Sequence, residues 1–360
     1  MKSNVSIRIM QPNNSSRTDS DIKPSNYLLP NGTGLKFFGD NLDARNSIEY
    51  PLQFCSAQDA AASRNNPIPV EVIFEDYYPS RALPAWLDEK VVNNRTGPET
   101  VSMFYTETGE IAAVLADEGS FVCGRFLNNP QRLQLILGKT SARQSILLPP
   151  VAVFVPLLQE IMQADSSLLF HSAGVFFPNG VGAMIVADSG GGKTTTSIAV
   201  LRQGARLLAD DLIVVKDNSS GLVIHGIPEP INLTTDTKSF FPELGKLQNL
   251  PRRDSITDKQ VLDPRLAYGE DCFIGKTGLN VIYFVEVSGK GPSVQPIPLQ
   301  DSLGILIKAA TFARKQKLRP ESGQLIFDVI SRARTYRLQT GPDPVALGKW
   351  LCERSSEHAA

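Results

Sequence analysis

Hydrophobic and polar positions divide the chain into two halves of different texture. From about residue 31 to 145 the apolar runs are short and punctuated by Gly and Pro, as in Val70–Phe74, Val101–Tyr105, Ile111–Leu115 and Phe121–Phe126. Such β-prone runs between turn residues predict a β-rich domain. Arg132–Leu137 fits a strand or a helical turn, because so few residues do not separate the two periods. Beyond about residue 146 the apolar segments lengthen. Pro156–Ala164 carries Leu157, Leu158, Ile161 and Met162 at helical spacing. Residues 301–316, entered through Asp301 with Leu303, Ile307 and Ala310 in register, and residues 343–353 also predict helices. Leu279–Val287 predicts a buried strand, and the polar stretch 236–272 a long surface excursion. Residues 1–30, rich in Asn, Ser and Asp, predict a flexible arm. The expected organisation is therefore an arm over 1–30, a β-rich domain over 31–145 and an α/β domain over 146–360. No internal repeat is present.

The run from Leu168 to Val215 says most about chemistry. Two apolar segments, 168–177 and 181–187, flank Pro178-Asn179-Gly180, a strong hairpin signal because Asn and Gly tolerate positive φ. The second segment runs into Ala187-Asp188-Ser189-Gly190-Gly191-Gly192-Lys193-Thr194, followed by a helical stretch to about Arg202 that Gly204 closes. A short apolar strand, Ala205–Ala209, then ends at Asp210-Asp211. This is the order of a P-loop. Glycines let backbone N–H groups close around phosphate oxygens, and the helix N-terminus adds a positive dipole end. In such a loop Lys193 reaches the β- and γ-phosphates and Thr194 offers its hydroxyl to Mg²⁺. The Asp pair, 17 residues after Lys193 at the end of a neighbouring strand, brings a carboxylate beside the metal. Ala187 stands where the motif has Gly.

Composition narrows the field further. Lys and Arg number 36 against 37 Asp and Glu, a formal net charge of −1, which argues against a globally basic nucleic-acid binder. Four cysteines, Cys55, Cys123, Cys272 and Cys352, form no CxxC pair, so a disulfide scaffold is excluded and a reducing cytoplasm is the expected setting. Only three histidines occur, His171, His225 and His358, which excludes clustered zinc chemistry. The N-terminus has no apolar leader core. The most apolar stretch, Ile146–Leu158, is too short for a bilayer span and carries Pro149, Pro150 and Pro156. Neither a nucleic-acid nor a membrane partner is expected.

His171, the hairpin, the A-D-S-G-G-G-K-T loop and the phrase G-A-R-L-L-A-D-D resemble HPr kinase/phosphorylase, whose C-terminal catalytic domain carries a His, a GxSGxGKS loop and paired Asp in this order. The resemblance covers about residues 168–233, with a weaker echo at Lys276–Val287. It implies an α/β fold, a P-loop kinase domain with a mixed sheet of the HPr kinase/phosphoenolpyruvate carboxykinase-like kind, here preceded by the β-rich region. It further implies that Ser189, Gly190, Gly191, Gly192, Lys193, Thr194 and Thr195 bind ATP, and that Lys193 and Thr194 hold phosphate and Mg²⁺. The resemblance implies that Asp210 and Asp211 share the roles of base towards the acceptor hydroxyl and metal contact; it leaves open which does which, with a lean to Asp211 as the metal side. His171 matches a family His near the phosphates, and Lys276 stands where the family has a phosphate-contacting Arg.

The sequence also departs from the family. Val223-Ile224-His225-Gly226 replaces a Glu-x-Arg-Gly signature, and nearby Glu229 reads either as a substitute for the missing Glu or, preferred, as a surface residue in a Pro-rich loop. A relative with another acceptor fits these changes, as in the serine kinases and peptide-tailoring kinases that resemble this family. The expected activity is ATP- and Mg²⁺-dependent phosphate transfer to a serine-bearing acceptor, whether free serine, a peptide or a small protein. One rival is a non-catalytic ATP-binding module that mediates a protein contact. Another is a carboxykinase-like enzyme, which needs a second metal site with His and Lys ligands. Arg252 and Arg253 read as solvated or as cations closing over a triphosphate. The basic side chains between Lys308 and Arg337 read as a solvated face or a dock for an acidic partner.

Overall fold

The structure, a computed structural model, describes residues 24–29, 32–39, 52, 55, 67–76, 101–105, 111–117, 120–128, 131–139, 151–253, 258–313 and 316–359. Most of the expected arm, the boundary near residue 145, and Arg314 and Lys315 of the basic run lie outside the described residues. The chain is mixed α/β, with several sheets.

The N-terminal region forms a seven-stranded sheet from β1 (Ser25–Leu28), β2 (Gly34–Phe38), β3 (Ile68–Asp76), β4 (Ser102–Tyr105), β5 (Ile111–Asp117), β6 (Ser120–Asn128) and β7 (Gln131–Lys139), in the order β1-β2-β3-β7-β6-β5-β4. The ambiguous run at 132–137 is thus a strand, paired parallel to β3 and antiparallel to β6. Alternate residues such as Val70, Val72, Leu133 and Leu135 are buried, as one covered face demands.

The cover is helix α1 (Val151–Ala164). It starts ahead of the expected Pro156, which sits inside the helix, and is buried continuously from Val153 to Gln163. That pattern follows from its place between the N-terminal sheet and the next strand, β8 (Ser167–His171). One apolar cluster runs from Phe37 through Phe154 and Leu158 to Leu169 and Val214. Inside it Gln159 is fully satisfied: its amide N–H groups donate to the Leu169 and Ala310 carbonyls at 2.9 and 2.8 Å, and its oxygen accepts from the Leu169 N–H.

In the C-terminal half, β9 (Ala173–Phe176), β10 (Gly182–Val186), helix α2 (Lys193–Leu201), β11 (Arg206–Ala209), β12 (Leu212–Asn218) and β13 (Gly221–Gly226) follow in turn. The expected strand 168–177 is therefore two strands. Ser172 separates β8, which joins β12 in a four-stranded sheet, from β9, which joins β10 and β11 in a six-stranded one. Asp210-Asp211 divides β11 from β12 between the same two sheets. Periodicity hides both breaks because strands buried on both faces read as unbroken apolar runs. The hairpin forms where expected, with Gly180 at φ 89°.

The 236–272 stretch is not a surface excursion. After β14 (Ile231–Leu233) it folds into α3 (Thr235–Phe240), α4 (Pro242–Gly245), β15 (Gln260–Leu262, paired with β14) and α5 (Arg265–Tyr268), with Phe241, Leu244 and Leu262 buried. A few apolar anchors at the right positions suffice to dock a polar segment. Edge strand β16 (Lys276–Gly278) pairs with β13, and β17 (Val281–Glu286) lies parallel to β10. After β18 (Ser293–Pro296), α6 (Leu299–Ala309) ends earlier than the expected 301–316. Helix α7 (Pro320–Arg332) and β19 (Arg334–Gln339) fill much of the stretch read only as basic, and two of their arginines are ion-paired. Arg332 meets Asp217 at 2.7 Å and Arg337 meets Glu286 at 3.0 Å. Helix α8 (Pro344–Ala359) closes the chain. Among the described residues no helix is long and apolar enough to cross a membrane.

Helix α8 lies directly on α2, where a Cβ at Gly348 would stand 2.1 Å from the Ala199 carbonyl oxygen. Gly348→Ala should therefore cost about 1–3 kcal/mol, read by denaturant unfolding; unchanged stability would contradict the close approach. The same helix is held by His358, whose Nδ1 lies 2.8 Å from the Tyr283 hydroxyl. Burial pulls the His358 pKa below its ordinary 6.5, Arg354 adds to this and Glu357 opposes it. Protonation thus favours the unfolded chain, and the His358 contribution, complete above 6.5, is lost as pH falls below it. His358→Gln should flatten the loss of melting temperature between about pH 7.5 and about pH 5.5 relative to the parent chain.

Candidate functional site

Strand β10 ends at Val186, and residues 187–192 turn without regular structure into α2. Gly190 at φ 74° and Gly192 at φ 97° occupy the left-handed region that side chains disfavour. At Gly191 a Cβ would stand 2.9 Å from the Asp188 carbonyl oxygen. All three glycines are thus required by the course of the loop. Gly192 is the N-cap of α2 and offers no side-chain acceptor, so the first N–H groups of the helix remain available for an anion.

Lys193, the first residue of α2, is only 6% exposed. Its Nζ donates to the Ala187 carbonyl at 2.7 Å and lies 3.2 Å from His171 Nε2. Burial lowers its pKa, and the carboxylates of Asp211, Asp210 and Asp188 oppose that. The His171 pKa is lowered by burial first and by the Lys193 charge second. With an ammonium as its neighbour, Nε2 acts as the acceptor and the ring proton sits on Nδ1.

Thr194 Oγ1 donates to Asp210 Oδ2 at 2.7 Å. Asp210 is 2% exposed, and its Oδ1 has no partner. Burial, aided by the charge of Asp211, raises its pKa to about 6, against the pull of the Thr194 hydrogen bond. Asp211 is half-buried. The hydroxyl of Thr194 is joined to Asp210 and not to Asp211. Thr195 Oγ1 lies 3.1 Å from Thr237 Oγ1. Asp188, Ser189 and Gly190 are exposed, and Asp188 Oδ1 accepts from Lys308 Nζ at 2.6 Å.

Lys276 is not brought to this group. It is exposed on β16, opposite His225 on β13, and among the described residues no hydrogen bond or ion pair joins it to the loop. Its charge, after burial, lowers the pKa of His225.

Sequence reasoning misplaced Glu229. It is buried, at 4% exposure, with Oε1 unpartnered, beside the Asp pair. Burial raises its pKa well above the ordinary value, Asp211 and Asp210 raise it further, and Arg253 opposes them. The route there depends on Gly226, where a Cβ would stand 1.9 Å from the Leu208 carbonyl oxygen. Apolar Ile227 and Ile231, flanking Pro228-Glu229-Pro230, were the signal that this loop is held inside. Lys259 also stands near enough for its charge to act on both His171 and Lys193.

The donor set suits a magnesium nucleotide. Among the described residues no three His, Cys, Asp or Glu side chains converge to hold a metal by themselves. Mg²⁺ does not need that, because it keeps waters and is shared between one or two carboxylates and phosphate oxygens. The unpartnered, buried Asp210 Oδ1 beside a hydroxyl is the kind of oxygen such an ion satisfies.

No protein-family model matches the chain. The HPr kinase/phosphorylase of Geobacillus sp. (strain WCH70) is 36% identical over 96 residues, 25% of this chain and 31% of the relative. That of Thermoanaerobacter sp. (strain X514) is 24% identical over 147 residues, 38% of this chain and 46% of the relative. The chain thus spans less than half the length of these curated relatives. Among solved structures, the HPr(Ser) kinase/phosphatase from Coxiella burnetii matches at 11% identity with a TM-score of 0.29, covering 52% of this chain and 95% of that one. This structural likeness is too loose to carry an argument. Over the matched segments the chain is similar to these HPr kinase/phosphorylases.

Proposed function

We propose that the chain is an ATP- and Mg²⁺-dependent P-loop kinase that transfers the γ-phosphate to a hydroxyl, that of serine in a small protein, a peptide or a free amino acid. The observation that carries the reading is the joined set of buried groups at one loop: Lys193 beside His171, and Thr194 on an Asp210 whose second oxygen lacks a partner. A cytoplasmic setting belongs to the same reading.

When bound, Mg·ATP supplies the phosphoryl group and neutralises charge on its oxygens. The loop N–H groups of Ser189, Gly190 and Gly192 cradle phosphate while that of Gly191 donates to the Asp188 carbonyl at 2.9 Å, and Thr195 lies next in line on α2. Lys193 holds the phosphates as a point charge, steadied by His171 and by the Ala187 carbonyl. Thr194 and Asp210 are the magnesium side. That leaves the half-buried Asp211 to orient the acceptor hydroxyl and take its proton, the opposite of the assignment that the resemblance suggested. Catalysis is then positioning plus electrostatics.

The rival ATP-binding module draws support from the absence of Glu and Arg at Val223–Gly226 and from the position of Lys276 away from the loop. One experiment separates the two. The chain is incubated with Mg·ATP and free serine, a serine-bearing peptide or HPr protein, and products are read by mass spectrometry. Lys193→Ala and Asp210→Asn should each cut transfer by about a hundredfold or more with circular dichroism unchanged. Undiminished transfer in both variants overturns the assignment, and tight ATP binding without labelling or turnover favours the module.

A further inference from the structure

The phosphotransfer reading leaves one cation beside the loop without a task. A nucleoside triphosphate carries more negative charge than one lysine and one Mg²⁺ neutralise, so phosphoryl-transfer sites bring further cations to the phosphates. Lys276 does not serve here, being exposed on β16 and, among the described residues, not bonded to the loop. Lys308 is placed differently. Among the described residues it is the cation that a hydrogen bond joins to the loop from outside, its Nζ donating to Asp188 Oδ1 at 2.6 Å.

Asp188 is no loose end of that loop. Its carbonyl accepts from the Gly191 N–H at 2.9 Å, which closes the turn made by the glycines. A cation held on its carboxylate therefore stands within one side chain of the cradle. The other end of the link is fixed as well. Leu306, Ala309 and Ala310 are buried, the Ala310 N–H donates to the Leu306 carbonyl at 2.9 Å, and the Ala310 carbonyl accepts from Gln159 Nε2 at 2.8 Å. The backbone that carries Lys308 is thus anchored, while its side chain, 72% exposed, reaches out to the loop. An ammonium has three N–H donors, and Asp188 Oδ1 takes one of them. That hydrogen bond also holds the Asp188 carboxyl below its ordinary range. From this geometry we infer that Lys308 is a second phosphate-binding cation of the site: Asp188 parks its ammonium at the mouth of the loop, and the remaining N–H groups donate to phosphate oxygens of a bound nucleoside triphosphate.

The inference rests on the nucleotide site of the kinase reading and not on transfer. It is tested on the full chain with Lys308→Ala, Asp188→Asn and the double variant Asp188→Asn/Lys308→Ala, with circular dichroism as the check of fold. Lys349→Ala on α8 controls for the loss of one positive charge, since that lysine is 71% exposed. The readout is the Kd for fluorescent N-methylanthraniloyl ATP in the presence of Mg²⁺. Lys308→Ala should raise the Kd by about fivefold or more. In the Asp188→Asn background the same change should still raise it by about threefold or more, because the contact is made with phosphate. Lys349→Ala should stay within about twofold of the parent. An unchanged Kd in Lys308→Ala overturns the inference. So does a loss that vanishes in the Asp188→Asn background, which reduces Lys308 to a neutraliser of Asp188. An equal loss in Lys349→Ala overturns it too, because net charge then accounts for the effect. A parent chain that binds the nucleotide and labels no acceptor sinks the kinase reading alone, and the Kd series still judges Lys308. A parent chain that binds no nucleotide overturns both.

Discussion

Two segments change sheets at one place, and between their two ladders a backbone hydrogen bond joins the crossings themselves. β8 passes to β9 at Ser172, β11 passes to β12 at Asp210-Asp211, and the Ser172 N–H donates to the Asp211 carbonyl at 3.0 Å. A strand leaving one ladder for another exposes peptide groups that no regular neighbour can serve. The chain answers with irregular contacts, and those contacts assemble the site. His171 precedes one crossing, the acid pair is the other, and the glycine loop follows β10 next door. Without this crossing the carboxylates and the lysine would belong to separate layers.

The electrostatics follow from that position. Between two sheets the surroundings are dry, so each ionisable group is judged by burial before anything else. Asp210 and Glu229 are pushed up, His171 and Lys193 pulled down. Every one of these shifts weakens a charge. On the function proposed above, a magnesium nucleotide would bring both signs at once, the cation for the acids and the phosphates for the lysine.

How much of this was legible depended on whether a signal was local. The glycine loop, the start of α2 at Lys193 and the hairpin at Asn179-Gly180 are written in residues with special backbone preferences, and they stand out in any reading. Strands β3 to β6 of the N-terminal sheet were visible as short β-prone runs between turn residues, whereas β1 at Ser25–Leu28 lies inside the stretch expected to be a flexible arm. The crossings at Ser172 and Asp210-Asp211 were not, since an apolar run looks the same whether one sheet owns it or two. Glu229 was misplaced for a related reason: composition marks Pro-rich polar loops as exterior, while Gly226 and the flanking isoleucines hold this one inside. The segment 236–272 was misread because Phe241, Leu244 and Leu262 are too sparse to register as a period, though they are enough to dock it.

The contact between Asp188 and Lys308 has a consequence of its own. The glycine loop carries a charge of its own in Asp188, and Lys308 of α6 lies on it at 2.6 Å. Both side chains are largely exposed, 77% and 72%, so the pairing contributes little to stability. Its value is as cancellation, since it removes a negative charge from the mouth of the cradle. Exposed charges are masked over about 8 Å at physiological ionic strength, so the dissolved salt shares this work with Lys308. Helix α6 is in turn fastened at this same C-terminal end, where Gln159 of α1 holds the Ala310 carbonyl. The loop is thereby tied to the layer that covers the N-terminal sheet by a tether whose grip loosens as the surrounding solution grows more saline.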